Sequence, residues 1–326
     1  YTSGSTGTPK GALIRHNGAV NHIFAEFDEL GFHQDSVFAQ SAPCSSDISI
    51  WQFLAPLMIG GSTRIIDFET VCDAAALFNE VKRVTIFEFV PIVLNEVLEF
   101  ASSLSTAQRA LPNLDYAMVT GEAVSVNLVN RWHQLYPEVP LCNAYGPTEA
   151  ADDICQFTVD KPLPENCLRV PIGTPIANTA IYVLDKELQL LPIGVPGEIC
   201  VAGIGVGEGY WKQAEKTAAS FIDNPYSTGK HDKILYRTGD LGRWQASGNL
   251  EYFHRADNQV KLRGYRIELD EIAGVLFKHP SVQDVVVGSS HEPAADQPQE
   301  PVPYTHPPPP TNSHAHTPAA PPPPTT

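Results

Sequence analysis

The first eleven residues bring together the residue types that bind phosphate. They contain three glycines, five Ser or Thr hydroxyls and Lys10. Glycine lets the backbone approach a ligand closely, so consecutive N–H groups can converge on phosphate oxygens while hydroxyls and a lysine add donors and charge. The segment predicts a loop that binds the phosphates of a nucleotide, with an ordinary polar surface loop as the alternative.

Two common phosphate loops are excluded by spacing. In a Walker loop the lysine follows a glycine and precedes Ser or Thr, whereas Lys10 follows Pro9 and precedes Gly11. Residues 203–208 fail the dinucleotide pattern because Glu208 occupies the position of its last glycine. The predicted nucleotide chemistry therefore belongs to another class.

The elements that must position this loop alternate between strands and helices. The predicted strands are 37–40, 63–67, 84–89, 116–120 and 141–143. The predicted helices are 49–58, 74–81, 91–98 and 126–136. This order predicts an α/β fold with a mainly parallel sheet, which binds ligands at the carboxyl ends of its strands. From Pro171 the pattern becomes rich in strands, at 180–185, 198–202 and 250–253.

Five motifs in a fixed order resemble those of the adenylate-forming superfamily, which includes acyl- and aryl-CoA ligases, luciferases and the adenylation domains of nonribosomal peptide synthetases. They are 2–11 (TSGSTGTPKG), 143–149 (NAYGPTE), 197–203 (GEICVAG) with Gly209 and Tyr210, 236–240 (YRTGD) and 255–269 (RADNQVKLRGYRIEL). The resemblance implies a large subdomain with a β-rich last portion, followed by the start of a small α+β C-terminal subdomain. We expect the large subdomain at 1–253, lacking its first part, and the hinge with a truncated C-terminal subdomain at 254–292.

The resemblance also implies a reaction, in which a carboxylate joins the α-phosphate of ATP and pyrophosphate leaves. Such a site positions two anions and screens the charge between them. The implied ATP-binding residues are Thr2, Ser3, Gly4, Ser5, Thr6, Gly7, Lys10, Asn143, Ala144, Tyr145, Gly146, Thr148, Asp240 and Arg255. The implied catalytic residues are Thr6, Lys10, Glu149 and Lys261.

Individual roles follow from the same resemblance, each with a structural alternative. Glu149 would bind magnesium, or be a carboxylate at the start of a helix. Tyr145 would stack on adenine, or be half-buried core. Asp240 would bind the ribose hydroxyls, or be a turn carboxylate beside Arg237 or Arg243. Arg255 and Lys261 would add positive charge near ribose and phosphate, or lie on a solvated face. Asp257 matches the hinge about which the C-terminal subdomain rotates.

The acid that is activated is indicated by the segment 46–51 (SDISIW). In amino-acid-activating members of the superfamily, the aspartate of a similar segment pairs with the substrate α-ammonium group. Asp47 therefore favours an amino acid over a fatty or aryl acid. The alternative is that Asp47 caps the following helix, and the two roles are compatible.

The pocket positions implied by motif register are Asp47, Ile48, Trp51, Glu88, Met118, Thr120, Ala144, Asp152 and Asp153. Three carboxylates besides Asp47 are unusual in a binding cavity, because burying unpaired anions is costly. They predict a substrate with a basic or a guanidino or ureido side chain. The alternative is that Asp152 and Asp153 face solvent at the start of a helix.

Composition limits the partners. The net charge of −16 argues against nucleic acid and anionic membranes. No apolar run approaches the roughly 20 residues of a membrane span, so we expect a soluble, cytoplasmic protein. The six cysteines lack paired spacing and predict reduced, buried thiols. Residues 293–326 contain 13 of the 29 prolines and predict a disordered tail.

The expected partners are an amino acid, a carrier domain bearing phosphopantetheine and a condensation domain of a larger synthetase. No carrier or condensation motif is visible in the chain. The second catalytic lysine of the superfamily, late in the C-terminal subdomain, has no counterpart, so we expect weak ATP binding and poor catalysis by the chain alone. An acyl- or aryl-CoA ligase and a non-catalytic scaffold with a nucleotide-binding fold are the alternatives.

Overall fold

A computed structural model describes residues 1–2, 9–257, 259–262, 265–276 and 287 of the 326-residue chain. The helices are α1 (His16–Leu30), α2 (Ile48–Met58), α3 (Phe68–Val71), α4 (Ala74–Val81), α5 (Pro91–Ser102), α6 (Thr106–Arg109), α7 (Val126–Leu135), α8 (Ala214–Ser220) and α9 (Leu269–Leu276). The strands are β1 (Val37–Gln40), β2 (Ser62–Ile65), β3 (Ile86–Phe89), β4 (Tyr116–Val119), β5 (Leu141–Tyr145), β6 (Cys155–Val159), β7 (Thr174–Pro175), β8 (Thr179–Leu184), β9 (Gly197–Gly203), β10 (Phe221–Asp223), β11 (Ile234–Trp244), β12 (Leu250–Arg255), β13 (Gln259–Leu262) and β14 (Tyr265–Glu268).

Local sequence sets where several helices begin and end. Asp73 caps α4 by accepting hydrogen bonds from the N–H groups of Ala75 and Ala76, and Ser125 caps α7 by accepting one from Leu128. Gly31 ends α1 in the left-handed conformation, with φ of 71°, which glycine adopts at little cost. These caps fix the lengths of the helices that cover the sheet.

The first sheet has seven strands in the order β2-β1-β3-β4-β5-β6-β7. Neighbours from β2 to β5 are parallel, whereas β5 to β7 are antiparallel. The predicted mainly parallel α/β fold is confirmed. The five strands and four helices predicted for this part are all present, with ends displaced by a few residues.

Side chains alternate between the two faces of this sheet, and each face is covered by helices. On β4, Ala117 and Val119 pack in one core with residues of α4, α5 and α7. Met118, between them, packs in the other core with residues of α1 and α2. Ile86 of β3 and Ala144 of β5 belong to this second core. Glu88, two residues after Ile86, therefore also faces α1 and α2.

The second sheet contains β10, β11, β9 and β8 in that order, and β12 pairs with β11. It confirms the strand-rich pattern after Pro171. The motif 236–240 lies within β11, where the register of the pairing with β9 shifts between Arg237 and Leu241. Strands β13 and β14 form a separate hairpin, followed by α9. The subdomain boundaries at 253 and 292 stay predictions, and the tail 293–326 lies outside the described residues.

The prediction that the six cysteines are buried is confirmed for three of them and wrong for the other three. Cys142, Cys155 and Cys200 are buried in strands of the two sheets. Cys44 and Cys72 are exposed, and Cys167 is half-buried. The latter three lie outside the strands, where no packing face covers them.

Candidate functional site

The segments that precede and follow the predicted phosphate loop are anchored by backbone pairing. Thr2 and Lys10 exchange hydrogen bonds, with N–O distances of 2.9 and 2.7 Å. The N–H of Leu13 then donates to the carbonyl of Gly209 at 2.9 Å. Ser3, Gly4, Ser5, Thr6 and Gly7, which the sequence placed in the loop, lie outside the described residues. The two segments that flank residues 3–8 are thus paired with each other, and the second of them is paired with the residues around Gly209.

Both flanking side chains are buried. Thr2 and Lys10 are only 8% and 7% exposed. Thr2 Oγ1 has no hydrogen-bond partner among the described residues. Lys10 Nζ lies 4.7 Å from the centre of the Tyr210 ring, which is the range of a cation–π contact. A hydroxyl and an ammonium group are therefore held at the base of the loop.

Glu149 contacts the same tyrosine, Tyr210, at its hydroxyl group. Its Oε1 accepts a hydrogen bond from the Tyr210 hydroxyl at 2.7 Å, and the side chain is buried. Glu149 sits in the short 3-10 helix Thr148–Ala150, as the helix-start alternative anticipated, but it faces the interior. Tyr210 thus contacts both Lys10 and Glu149, and brings a cation and a carboxylate to one region.

Asp240 forms the centre of a second polar network. Its Oδ2 accepts a hydrogen bond from the Tyr145 hydroxyl at 2.6 Å, and its Oδ1 lies 3.1 Å from a terminal nitrogen of Arg255. Burial, followed by the negative charge of Asp240, raises the pKa of Tyr145 well above its ordinary value. Tyr145 is therefore a neutral hydrogen-bond donor that orients the Asp240 carboxylate.

The alternative partners predicted for Asp240 are wrong. Arg237 pairs with Glu198 at 2.6 Å, and Arg243 pairs with Glu251 at 2.7 Å. Asp240 lies inside β11 and not in a turn. The solvated alternative for Arg255 is also wrong, because its side chain is only 9% exposed.

Arg255 links this network to the predicted hinge. Its Nε and one terminal nitrogen donate to the two carboxylate oxygens of Asp257 at 2.7 and 2.6 Å. Another terminal nitrogen donates to the carbonyl of Thr238 at 2.9 Å. The side chain of Lys261, in β13, lies outside the described residues.

A cleft of about 220 Å³ opens between these groups. Lys10, Tyr210, Thr238, Arg255 and Asp257 are among the residues that line it. Glu149 and Asp240 are hydrogen-bonded to lining residues and stand directly behind them. We call this region the nucleotide cleft. Of the other predicted nucleotide-binding residues, Asn143 donates to the carbonyl of Pro171 at 2.8 Å.

A separate acidic cluster lies on the face of the first sheet that α1 and α2 cover. We call it the acidic pocket and define it by Glu26, Glu88, Asp152 and Asp153. All four are buried, at 0%, 3%, 7% and 2% exposure. The alternative that Asp152 and Asp153 face solvent is therefore wrong. The reason is local, since Ala151 and Asp152 adopt left-handed φ values of 65° and 78° that turn the chain back toward the sheet.

Four of the eight carboxylate oxygens of the acidic pocket lack a hydrogen-bond partner in the described part of the chain. Within the described residues, no hydrogen bond reaches Glu26 Oε2, either oxygen of Glu88 or Asp152 Oδ2. Asp153 differs, because it accepts a hydrogen bond from Thr120 Oγ1 at 3.2 Å. Four buried acceptors are thus left for another donor.

Burial and repulsion between neighbouring acids raise the pKa values of Glu88, Asp152 and Asp153. Burial, and then the charges of Asp153 and Glu26, raise the pKa of Glu88 well above its ordinary value. Burial, and then the charge of Asp47, raise the pKa of Asp152. Burial and the charge of Glu26 raise the pKa of Asp153 to about 7. The region favours protons or another positive charge.

Two residues of α1, His22 and Glu26, were missed by the sequence analysis. Nε2 of the buried His22 lies 3.3 Å from Glu26 Oε1, and Gln156 donates a hydrogen bond to the same oxygen. Burial would lower the pKa of His22, but the charges of Glu26, Asp153 and Asp47 outweigh it and raise the pKa. A His and a Glu four positions apart on an otherwise apolar helix face were the available signal.

The remaining pocket positions surround this cluster. Asp47 precedes α2, and its carboxylate accepts a hydrogen bond from the N–H of Ile48 at 3.1 Å, so the capping alternative is supported. Trp51 and Met118 pack in the core between α2 and the sheet, and Ala144 borders it. Asp47 also raises the pKa of Asp152, which places the two carboxylates in one electrostatic environment.

Gly146 joins the two regions. It follows Tyr145 of the nucleotide cleft, and a Cβ atom at Gly146 would lie 1.7 Å from the carbonyl oxygen of Asp152 in the acidic pocket. That approach is far inside van der Waals contact. A glycine is therefore required where the backbone passes between the two regions.

Comparison with known proteins agrees with this geometry. A family model described as AMP-binding enzyme matches residues 1–211. Gramicidin S synthase 1 of Brevibacillus brevis is 38% identical over 301 residues, covering 91% of this chain and 26% of the synthase. Tyrocidine synthase 1 of Brevibacillus parabrevis is 37% identical over 300 residues, with the same two coverages of 91% and 26%.

Two solved structures share the fold. An NRPS protein containing adenylation and PCP domains, bound to a vinylsulfonamide inhibitor, is 29% identical with a TM-score of 0.76, covering 87% of this chain and 48% of that one. An artificially fused adenylation-PCP di-domain NRPS from Klebsiella oxytoca is 27% identical with a TM-score of 0.76, covering 90% and 57%. The chain spans about half the length of these structures and about a quarter of the two synthases.

The chain belongs to the AMP-binding enzyme family of adenylate-forming ligases. The predicted resemblance to adenylation domains of nonribosomal peptide synthetases is confirmed. In the described part of the chain, no helix has the length and apolar character needed to cross a membrane.

Proposed function

We propose that this chain is part of an enzyme that activates an amino acid as its aminoacyl adenylate. The carboxylate of the amino acid attacks the α-phosphorus of ATP, the bond to the β-phosphate oxygen breaks, and pyrophosphate leaves with the electron pair. The observation that carries the proposal is the placement of the acidic pocket. One of its unpartnered carboxylates, Asp152, is separated along the chain from Tyr145 of the nucleotide cleft by only the short loop 146–151.

The nucleotide cleft supplies groups for the ribose and for the phosphates of ATP. Asp240, oriented by Tyr145 and Arg255, has two oxygens that suit a vicinal diol such as the ribose hydroxyls. Thr2 Oγ1 and Lys10, at the base of the loop 3–8, suit phosphate oxygens. We assign Thr6 to the same loop on sequence grounds.

The donor chemistry at Glu149 fits magnesium. It is a buried carboxylate held by Tyr210, close to the ends of the phosphate loop, and a hard oxygen ligand is what this cation prefers. When bound, the ion would screen the charge of the phosphate oxygens. Glu149 would hold it, while Lys10 and Tyr210 keep the surrounding groups in position.

We further propose that the amino acid carries a basic or a guanidino or ureido side chain. Asp47, which borders the acidic pocket, would pair with the α-ammonium group. Glu88, Asp152 and Asp153 would then face the side chain. A cationic or multiply donating group would satisfy oxygens that otherwise stay buried without partners in the described part of the chain.

The partners are proposed from the related proteins. Two similar structures contain PCP domains next to adenylation domains. The aminoacyl group would then pass to the phosphopantetheine thiol of a carrier domain, and on to a condensation domain of a larger synthetase. We assign Asp257 to the hinge for this change of partner and Lys261 to the adenylation step. The pairing of Asp257 with Arg255 connects the hinge to the Asp240 network.

Amino-acid-dependent exchange of labelled pyrophosphate into ATP tests the proposal, using the full natural protein. Ornithine, lysine, arginine and citrulline are compared with leucine, phenylalanine, benzoate and a fatty acid. We expect the highest exchange with a member of the first group. Preference for leucine or phenylalanine would contradict the substrate class only, whereas preference for benzoate or the fatty acid would contradict amino-acid activation and favour a CoA ligase.

A further inference from the structure

The acidic pocket contains a carboxylate that motif register does not assign to substrate. Glu26 is fully buried on α1, on the same face of the sheet as Glu88, Met118 and Ala144. One ligand atom from each of Glu26, His22 and Asp153 lies within 4.8 Å of the others. Glu26 thus belongs to the same cluster of buried acids, although it comes from a helix distant in sequence from the others.

The two carboxylate oxygens of Glu26 differ in their hydrogen-bond partners. Oε1 accepts the hydrogen bond from Gln156 and lies 3.3 Å from His22 Nε2. Oε2 is buried and has no partner among the described residues. Gln156 and His22 therefore fix the orientation of the carboxylate, and leave one oxygen available to a ligand.

The number of unpartnered acceptors indicates the type of ligand. Within the described ranges, Glu26 contributes one oxygen, Glu88 two and Asp152 one. An ammonium group has three N–H donors and a guanidinium group has five, whereas a water molecule has two. A cationic side chain therefore comes within one donor of the number of acceptors, whereas one water molecule does not, and its charge offsets the repulsion among the acids.

We propose that Glu26 is a specificity-determining residue, which with Glu88 binds the cation at the far end of the substrate side chain. His22 and Gln156 act as positioning residues for its carboxylate. The inference rests on the proposed function, and it adds α1 to the elements that select the substrate.

Matched pairs of substrates test this role in the full natural protein. The ratio of kcat/KM for lysine over norleucine, and for arginine over citrulline, measures selection for the distal cation. Glu26→Gln keeps the shape and removes the charge, so it should lower at least one ratio by about tenfold or more, through KM. Glu96→Gln, which changes an exposed glutamate on α5, is the matched control and should change neither ratio.

A second variant separates substrate contact from folding. Glu26→Asp keeps the charge but withdraws it by one methylene. In the series 2,4-diaminobutyrate, ornithine and lysine, this variant should shift the preferred chain length toward the longer substrate. A purely structural role would lower the activity for all three equally.

The outcomes distinguish this inference from the proposed function. A wild-type protein that prefers norleucine over lysine and citrulline over arginine would overturn the distal cation and with it the role of Glu26, while the proposed activation of an amino acid would stand. A wild-type protein that prefers the cations, with ratios unchanged in Glu26→Gln and no chain-length shift in Glu26→Asp, would overturn only the role of Glu26. Zn²⁺ binding in a calorimetric titration that Glu26→Gln abolishes, with unchanged ratios, would instead identify His22, Glu26 and Asp153 as a metal site and also overturn it.

Discussion

The buried carboxylates of the nucleotide cleft have side-chain partners, whereas several of those in the acidic pocket have none among the described residues. In the cleft, Asp240 is paired with Tyr145 and Arg255, and Glu149 is hydrogen-bonded to Tyr210. In the acidic pocket, both oxygens of Glu88 and one oxygen of Glu26 have no partner in the described residues. The first region is electrostatically balanced by its own side chains, whereas the second has an excess of acidic groups.

This difference has a physical consequence for binding. A paired carboxylate is held in one orientation before the ligand arrives, so little reorganisation is needed on binding. An unpaired buried carboxylate raises the free energy of the ligand-free protein, and a cation that enters lowers it again. The nucleotide cleft therefore holds its carboxylates in a fixed orientation for the ligand. The acidic pocket instead favours a ligand that carries a positive charge.

The largest effect is expected where the two regions meet. In Gly146→Ala the new Cβ would collide with the carbonyl oxygen of Asp152, which is backbone and cannot rotate away. The loop must move, and we expect the free energy of unfolding to fall by about 3 kcal/mol. Pyrophosphate exchange should fall as well, because both Tyr145 and Asp152 shift. Urea titration and exchange assays measure the two effects.

The control for this variant is Gly229→Ala. Gly229 is exposed, and its Cβ would lie no closer than 3.5 Å to the nearest atom, which belongs to Asp232. We expect a change in the free energy of unfolding of less than about 0.5 kcal/mol. Equal effects at the two glycines would show that the close approach at Gly146 is not what constrains the loop.

A smaller loss of stability is expected from removing the paired carboxylate of Asp240 in the nucleotide cleft. Asp240→Ala removes the acceptor of the Tyr145 hydroxyl and one of the partners of Arg255. Because Arg255 keeps Asp257 and the carbonyl of Thr238, we expect a loss of about 2 kcal/mol, below the usual cost of breaking a buried ion pair. The KM for ATP should rise in the same variant.

Two further variants show whether the lost stability comes from the hydrogen bonds of Asp240. Asp240→Asn keeps one carbonyl oxygen as an acceptor and should lose less stability than Asp240→Ala. Asp223→Ala, at an exposed position in β10 of the same sheet, should have almost no effect. A rise in KM without a loss of stability would mean that Asp240 contacts ATP but does not organise Tyr145 and Arg255.

The difference between the two regions also explains which of their residues could be predicted from the sequence. Short motifs around Tyr145 and Asp240 lie at strand ends or within strands, so their order along the chain was enough to anticipate the fold and the cleft. The partner of Asp240 was not predicted. Arg255 is 15 residues away and reaches Asp240 only because β11 and β12 pair in antiparallel register. Nearby arginines in sequence, Arg237 and Arg243, are used by Glu198 and Glu251.

The acidic pocket was only partly predicted for a similar reason. Glu88, Asp152 and Asp153 follow from motif register, whereas Glu26 reaches them across the interior from α1. The His and Glu four positions apart mark one otherwise apolar face of α1, but the local sequence does not show which distant residues that face meets. The burial of Asp152 also depends on left-handed φ at Ala151 and Asp152, which is uncommon for residues other than glycine and is not evident from the sequence.

The smallest of the expected effects concerns how stability depends on pH. Groups whose pKa is raised in the folded state stabilise it most below their unfolded pKa, and this contribution is lost as pH rises through the folded pKa. Glu88, Asp152 and Asp153 all have raised pKa values, and that of Asp153 is about 7. The raised pKa of His22 acts in the same direction. Without a cationic ligand, the protein should therefore lose stability between about pH 4 and pH 7.

Glu88→Gln sharpens this prediction, because it removes one of the raised carboxylates without changing its shape. The free energy of unfolding should be higher than that of the wild type at pH 8, by about 1–2 kcal/mol, and the difference should shrink toward pH 4, where Glu88 is protonated. Glu96→Gln controls for the loss of a glutamate at an exposed position. Urea titrations at several pH values measure the difference. Parallel curves for wild type and Glu88→Gln would mean that Glu88 finds a partner in solution, and the acidic pocket would then be as well balanced as the nucleotide cleft.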